Sequence, residues 1–337
     1  MRALTVCEPW GLNNLTLVEL PEPVPGPGEV RLRMKAVSLN FRDWLIANGG
    51  HVGGALSQNS IIPFGDGCGI VDALGDGVTR VSVGERVIPT IIPKWIAGAA
   101  TPERVGSALG MNIPGLGQEF VVVDQEALVK APEFLTDTEV ACLACAGLTA
   151  WNALFQEPKL APGDVAVLQG TGGVSTFALQ FARAAGMETI ITSSSDEKLD
   201  SARALGADHG INYRVTPRWA EAVREITGGR GADFVLDMGA EGTFEESLRA
   251  VRMNGHVAVV GMLEGGSILK PATLLASAAR VSAILVGSRD MLEAMCRTVS
   301  YHRIRPVISS VLPWTEAREA LHALRSSSHF GKIVLEF

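Results

Sequence analysis

Gly170, Gly172, Gly173 and Ser175 stand between an apolar run at 165–168 and a segment that puts Val174, Phe177, Ala178, Phe181, Ala182 and Ala185 on one helical face. Strand, glycine turn and helix in that order can hold an anion. Glycines admit a pyrophosphate close to the backbone, and the helix start offers unpaired N–H groups and the positive end of its dipole. Ser175 departs modestly from the third glycine or alanine of such loops and still permits close helix–strand packing. Gly186 falls where a glycine would end the helix. A glycine triplet alone can be only a tight turn, and it is the flanks that make this one a dinucleotide site.

A second cluster follows the β-branched run Thr189–Thr192. Folds that take NAD usually place Asp or Glu about 20 residues beyond the glycine loop, on the adenosine ribose. This chain has Ser193 there, followed by Ser194, Ser195 and Lys198, and later by Tyr213 and Arg214. Hydroxyls and a cation can bind a 2′-phosphate that a carboxylate would repel. The alternative is that the serines cap a helix, since Ser194 and Glu197 have capping-box spacing, and that Lys198 is a solvated surface charge. The two roles overlap, and NADP(H) is the expected cofactor.

The elements that must carry these residues fall into two parts. At 337 residues the chain can bury two cores. Residues 1–125 are β-rich and punctuated by Pro and Gly, with an aperiodic stretch at 89–118. From 165 onward strands and helices alternate, which argues an α/β class with a parallel sheet covered on both faces. A net charge of −7 argues against a nucleic-acid or membrane-surface binder. No uninterrupted apolar run approaches about 18 residues, so no membrane span is expected. The N-terminal sequence reads directly as a strand with no signal peptide, and five scattered cysteines fit a reducing compartment. A cytoplasmic protein acting on a small molecule is expected. The apolar run Val281–Val286 at the anticipated sheet edge further suggests a homodimer.

In order along the chain come Met1-Arg-Ala-Leu, Pro21-Glu-Pro, Ala36-Val-Ser-Leu-Asn40, Gly69-Ile-Val, Gly84-Glu-Arg-Val87 and Gly147-Leu-Thr-Ala-Trp151. Pro162-Gly-Asp164, the glycine loop, Ala204-Leu-Gly-Ala-Asp208 and Gly331-Lys-Ile333 complete the series. This series resembles the medium-chain dehydrogenase/reductase superfamily over almost the whole length, and within it the zinc-free quinone-oxidoreductase-like and alcohol-dehydrogenase-like branch. The resemblance implies a GroES-like β-rich catalytic domain at 1–125 and 288–337. It also implies a Rossmann doubly wound parallel sheet at 126–287.

Zinc-dependent relatives carry Cys where this chain has Asn40 and His where it has Gly65, before Asp66. Cys145 falls where their third ligand would lie, and the four cysteines of their structural zinc lobe are missing from 89–118. One thiol and one carboxylate do not make a three-ligand catalytic site, and no metal is expected. Cys145 reads as a small buried hydrophobe. By resemblance, Thr149 lies against the nicotinamide, Thr171 to Val174 line the pyrophosphate, and Gly239, Gly261 and Met262 border the cofactor. Lys332 either reaches the cofactor phosphates or is an ordinary strand lysine.

Asn40, Arg42 and Asp43 are the candidate catalytic group. Asn40 could orient the cofactor ribose, donate to a substrate oxygen, or simply tie its loop to backbone, and Asp43 has the look of a structural residue. His51 could reach the site from its glycine-rich stretch or stay on a surface loop. Without a metal, hydrogen-bond donors alone must polarise the acceptor, which suits quinones and enones. The expected function is therefore NADPH-dependent reduction of a conjugated acceptor. The alternatives are a zinc-free alcohol or carbonyl dehydrogenase and a non-catalytic NADPH-binding structural or regulatory protein.

Overall fold

The computed structural model describes residues 1–51, 54–55, 59–239, 242–261 and 271–337. The chain forms two compact units, Met1–Leu148 with Val286–Phe337, and Thr149–Leu285. The division falls at 148/149, where the sequence put it at 125/126. Residues after 125 are tied into the first unit. Leu128–Lys130 pairs antiparallel with Arg86–Pro89, and Arg86 Nη1 donates to Asp137 at 3.0 Å.

The described residues of the first unit include a seven-stranded sheet. Its path runs Leu128–Lys130, Arg86–Pro89, Gly67–Leu74, Glu29–Ser38, Lys332–Glu336, Ile308–Pro313, with Phe120–Asp124 also paired to Glu29–Ser38. Glu29–Ser38 shows the two-residue period of a half-buried strand. Val30, Leu32, Met34 and Ala36 enter the core while Arg31, Arg33 and Lys35 face outward or half outward. With them pack Phe64, Leu116, Ile333 and Leu335.

One register matters for the site. Lys332–Glu336 runs antiparallel to Glu29–Ser38, pairing Val334 with Ser38 and Leu335 with Val37, and the Leu39 N–H continues the ladder to Ile333 O at 2.9 Å. Carried two residues further, that register sets Lys332 level with Asn40. Asn40 is extended (φ −133°) and begins the helix Phe41–Ala47. Asp43, three residues on, accepts the Asn40 N–H at 2.8 Å, so the side chain of the third helical residue satisfies the backbone at the helix entry.

The second unit is built on a six-stranded parallel sheet ordered His209–Asn212, Glu188–Ser193, Val165–Gln169, Ala232–Asp237, Val251–Val259, Arg280–Ala283. In sequence order that is 3-2-1-4-5-6, the doubly wound arrangement in which the strand order reverses beside the first strand. The apolar run read at 165–168 is fully buried, as parallel strands covered on both faces are. Helix Gly173–Ala184 buries Phe177, Ala178, Phe181 and Ala182 and stops at Gly186, which takes φ 78°. The edge strand is shorter than the expected 281–286.

Asp137–Phe155 is long and apolar enough by composition to cross a membrane. Its apolar window is 78% buried within the protein, so that surface faces protein.

Candidate active site

The glycine loop occupies the turn that the sequence assigned to it. Gly170 has φ 75°, and a Cβ added at Gly170 or Gly172 would meet no heavy atom within 4 Å, so the backbone faces open space. The N–H groups of Gly173, Val174 and Ser175 precede the first intrahelical bond, Thr176 N–H to Gly172 O at 3.0 Å. An open cradle lined by unpaired N–H groups fits a pyrophosphate. The loop Gly170–Val174, with Thr171 buried at its centre, would hold it.

A buried network braces this loop from below. Gln169 Nε2 donates to Ser247 Oγ at 2.6 Å and to Asp237 Oδ2 at 3.2 Å, and Ser247 Oγ donates to Asp237 Oδ2 at 2.5 Å. Gln169 Oε1 accepts the Met238 N–H, Asp237 Oδ1 accepts the Gly239 N–H at 2.7 Å, and Ser175 Oγ donates to Gln169 O at 2.6 Å. The ends of two neighbouring strands and the helix start are thus locked together. These residues were missed in the sequence, although polar Gln169 and Asp237 closing apolar runs were the signal. Gly261 lies against Met238, whose carbonyl a Cβ would approach to 2.5 Å. Met262 lies outside the described residues. Thr149 is buried in the first turn of the helix Leu148–Phe155.

At the adenosine end, Ser193 is buried at the tip of its strand, and its carbonyl accepts the Tyr213 N–H at 3.0 Å. Tyr213 is thereby placed beside Ser193 with its ring partly exposed. The helix cap is one residue later than expected. Ser195, rather than Ser194, accepts the Lys198 N–H at 3.4 Å, because Ser195 is the residue held extended before the helix Asp196–Leu205. Ser194 is half-buried ahead of it. Partial burial lowers the pKa of Lys198. No carboxylate occupies the strand tip itself.

In the first unit Asn40, Asp43, Asp66 and Lys332 form a buried polar knot. Lys332 is 3% exposed, and its ammonium donates to Leu39 O at 2.6 Å and to Asn40 Oδ1 at 2.5 Å, and lies 3.7 Å from Asp66 Oδ2. Asn40 Nδ2 donates to Ser38 O and to Asp66 Oδ2, each at 3.1 Å. The amide orientation is fixed by chemistry: an ammonium only donates, and a carboxylate and a carbonyl only accept. Both amide hydrogens are therefore committed. The amide is thus turned into the knot, and its side chain also takes part in the capping box with Asp43. Lys332 is likewise drawn inward to this knot.

The other two candidates, Asp43 and Arg42, are held by contacts within the first unit. Asp43 is fully buried on the Asn40 N–H. Burial raises its pKa against the opposing pull of Arg42, the Asn40 N–H and Lys332. Arg42 Nη2 donates to Leu109 O at 2.9 Å, and Nη1 lies 3.8 Å from Asp43 Oδ1. Asp66 accepts the Cys145 N–H at 3.1 Å. Burial pushes its carboxyl up to about 6, although Lys332 and the Asn40 amide pull the other way. Burial, and then the Asp66 charge, pushes the Cys145 thiol up to about 12.

These groups do not fit a catalytic zinc. Position 40 offers an amide already held by an ammonium. A Cβ at Gly65 would come within 2.5 Å of Arg42 Nη1 and 2.9 Å of Leu109 O, so no imidazole can stand there. Cys145 adds one thiol, which leaves the set short of the three protein ligands a catalytic zinc takes. Among the described residues no group of three or more His, Cys, Asp or Glu side chains could hold a metal ion.

A doubly wound parallel sheet with a phosphate-binding loop, joined in one chain to a β-rich unit with a buried polar site, defines a pyridine-nucleotide oxidoreductase. Residues 26–133 match the alcohol dehydrogenase GroES-like domain family, and residues 173–300 match the zinc-binding dehydrogenase family. The zinc-type alcohol dehydrogenase-like protein C1773.06c of Schizosaccharomyces pombe is 38% identical over 325 residues, covering 94% of this chain and 93% of its own. The 2-haloacrylate reductase of a Burkholderia species is 34% identical over 266 residues, 78% of this chain and 74% of its own. The crystal structure of a putative alcohol dehydrogenase from Sinorhizobium meliloti 1021 superposes with a TM-score of 0.89 at 43% identity, over 96% of this chain and 95% of that one. The chain belongs to the medium-chain dehydrogenase/reductase superfamily and is an NAD(P)H-dependent oxidoreductase.

Proposed function

We propose that this oxidoreductase reduces an electron-poor conjugated acceptor, such as a quinone, an enone or a 2-haloacrylate, with NADPH and without zinc. The observation that carries the reading is the side-chain set at the ligand positions of zinc-dependent relatives. It consists of a pinned amide, a glycine backed by Arg42 and Leu109 O, and a single cysteine. Such a site has no Lewis acid with which to polarise a simple carbonyl. A conjugated acceptor already spreads its electron deficiency, so holding donor and acceptor at reacting distance can supply a large part of the barrier reduction. NADPH held by the loop Gly170–Val174 would supply a hydride to the β-carbon of an enone or 2-haloacrylate and leave as NADP⁺, and solvent would supply the proton. Similarity to a 2-haloacrylate reductase, an enzyme named for a conjugated substrate, supports this class.

The NADPH preference rests on Ser193, Lys198 and Tyr213, with a hydroxyl at the strand tip where a carboxylate would exclude a 2′-phosphate. We further propose a cytoplasmic homodimer paired through the edge strand Arg280–Ala283. A second reading, a zinc-free alcohol or carbonyl dehydrogenase, is favoured by likeness to the Sinorhizobium meliloti protein. Initial-rate assays with NADPH and with NADH against quinones, enones, 2-haloacrylates, aldehydes and alcohols separate the two. Efficient alcohol oxidation with inert enones and quinones would establish the second. No turnover of any class would leave a nucleotide-binding protein without a reductase role.

A further inference from the structure

The Lys332 ammonium reaches Asn40 Oδ1 and Leu39 O from a strand 293 residues away along the chain, and it is 3% exposed. A lysine buried to that degree must have its charge answered. Asp66, also fully buried, answers it at 3.7 Å. The same Asp66 accepts both the Asn40 amide and the Cys145 N–H. One cation therefore sits among residues 40, 66 and 145. Two of these, 40 and 145, are ligand positions in zinc-dependent relatives, and Asp66 directly follows the third, position 65.

We infer that Lys332 is the built-in cation of this site. Its ammonium stands where those relatives hold zinc, keeps the Asn40 amide in a single orientation, and by its presence shuts a divalent metal out. It is a positioning residue: it acts through Asn40, whose amide it holds against Ser38 O and Asp66. A metal and an ammonium are alternative ways to balance one buried carboxylate, and the chain has space and charge for one of them. This deepens the zinc-free reading given above, and its metal-binding arm does not depend on any turnover.

The test compares the unmodified protein, Asn40→Cys, and Asn40→Cys combined with Lys332→Ala. The readouts are zinc content after dialysis against zinc and the shift in thermal unfolding on adding zinc. With the ammonium present, the new thiol of Asn40→Cys should recruit no metal and zinc should leave its unfolding unmoved. With the ammonium removed, Cys at 40, Asp66 and Cys145 offer three donors of the kind zinc takes. The double variant should then retain about one zinc per chain and unfold at a higher temperature with zinc. Zinc uptake by the single variant to the same extent, or by neither, overturns the inference.

Should the double variant fail to fold, Lys332→Met with Asp66→Asn removes both buried charges together and carries the question. Turnover lowered by roughly 100-fold, the scale of a small misplacement of a reacting group, with an unchanged KM for NADPH, supports the positioning role. Turnover equal to the unmodified protein refutes it. If the unmodified protein reduces no conjugated acceptor while the zinc results come out as stated, the proposed substrate class fails and Lys332 keeps its role.

Discussion

Gly65 packs against Arg42: a Cβ at position 65 would stand 2.5 Å from the Arg42 Nη1 atom and 2.9 Å from Leu109 O. The two residues fill the space beside position 65, where the resemblance implies that zinc-dependent relatives carry His. The guanidinium that fills it is tethered by its other nitrogen to Leu109 O.

Gly65→Ala is therefore expected to destabilise the fold by about 1–3 kcal/mol, the usual cost of overpacking a filled site. Arg42 can give way, but Leu109 O, a backbone atom at 2.9 Å from the new Cβ, cannot easily do so. Gly65→His should be worse still and should recruit no zinc while Arg42 remains. Denaturant unfolding of both variants checks this, and an unchanged midpoint for the alanine would contradict the packing argument.

Replacing Ser193 with Asp should weaken NADPH binding by roughly 100-fold, on the order of 3 kcal/mol, and leave NADH binding within a few-fold. A fixed anion at the strand tip repels a 2′-phosphate and suits a bare ribose. Fluorescence titration with both cofactors reads the ratio. Equal affinities in the unmodified protein would remove the premise.

Asp66 makes stability depend on pH with a definite sign. Burial, the largest influence, holds its carboxyl at about 6 in the folded chain, above its ordinary value of 3.8. A raised folded pKa means that the fold binds this proton more tightly than the unfolded chain does. The stabilisation is complete below about pH 4 and is lost as pH rises through about 6. Relative to Asp66→Asn, the unmodified protein should lose stability between pH 4 and pH 7. Urea unfolding across that range tests it. A change in the opposite direction would mean that the pair with Lys332 outweighs burial.

Val281→Lys should separate the proposed dimer. The strand Arg280–Ala283 has one hydrogen-bonding edge paired to Val251–Val259, and Val281 and the nearby Leu285 are 41% and 48% exposed. A charge on an unprotected edge disfavours edge pairing. Sedimentation should show a dimer for the unmodified protein at micromolar concentration and a monomer for the variant. A monomer in both cases would end the proposal.

The second unit was the more legible part of the chain. Its strands are buried on both faces and read as uninterrupted apolar runs, and its helices end at glycines in the left-handed region, Gly206 among them with φ 108°. Local signals of this kind need no knowledge of distant residues. The helix cap shows the resolution of such reading. Ser194 and Ser195 are chemically alike, and only the backbone decides that Ser195 takes the position.

The polar knot was legible as a set of residues but not as an arrangement. Asn40, Arg42 and Asp43 are neighbours in sequence and were read together. Lys332 stays open in the sequence between a phosphate-reaching lysine and an ordinary strand lysine, because nothing local announces its partner. The register between Glu29–Ser38 and Lys332–Glu336 sets it there. The inward turn of the Asn40 amide follows from that same register, so the sequence alone leaves a functional and a structural amide equally open.

The position of Lys332–Glu336 in its sheet also has a temporal side. This strand lies between Glu29–Ser38 and Ile308–Pro313, so the first unit's sheet cannot close until residues past 330 have left the ribosome. The second unit, contiguous from 149 to 285, has all of its strands much earlier and can fold as a unit while synthesis continues. Until then Asn40 and Asp66 are held by a nascent chain with no ammonium to meet them. The order of synthesis thus delivers the nucleotide-binding loop well before the buried cation.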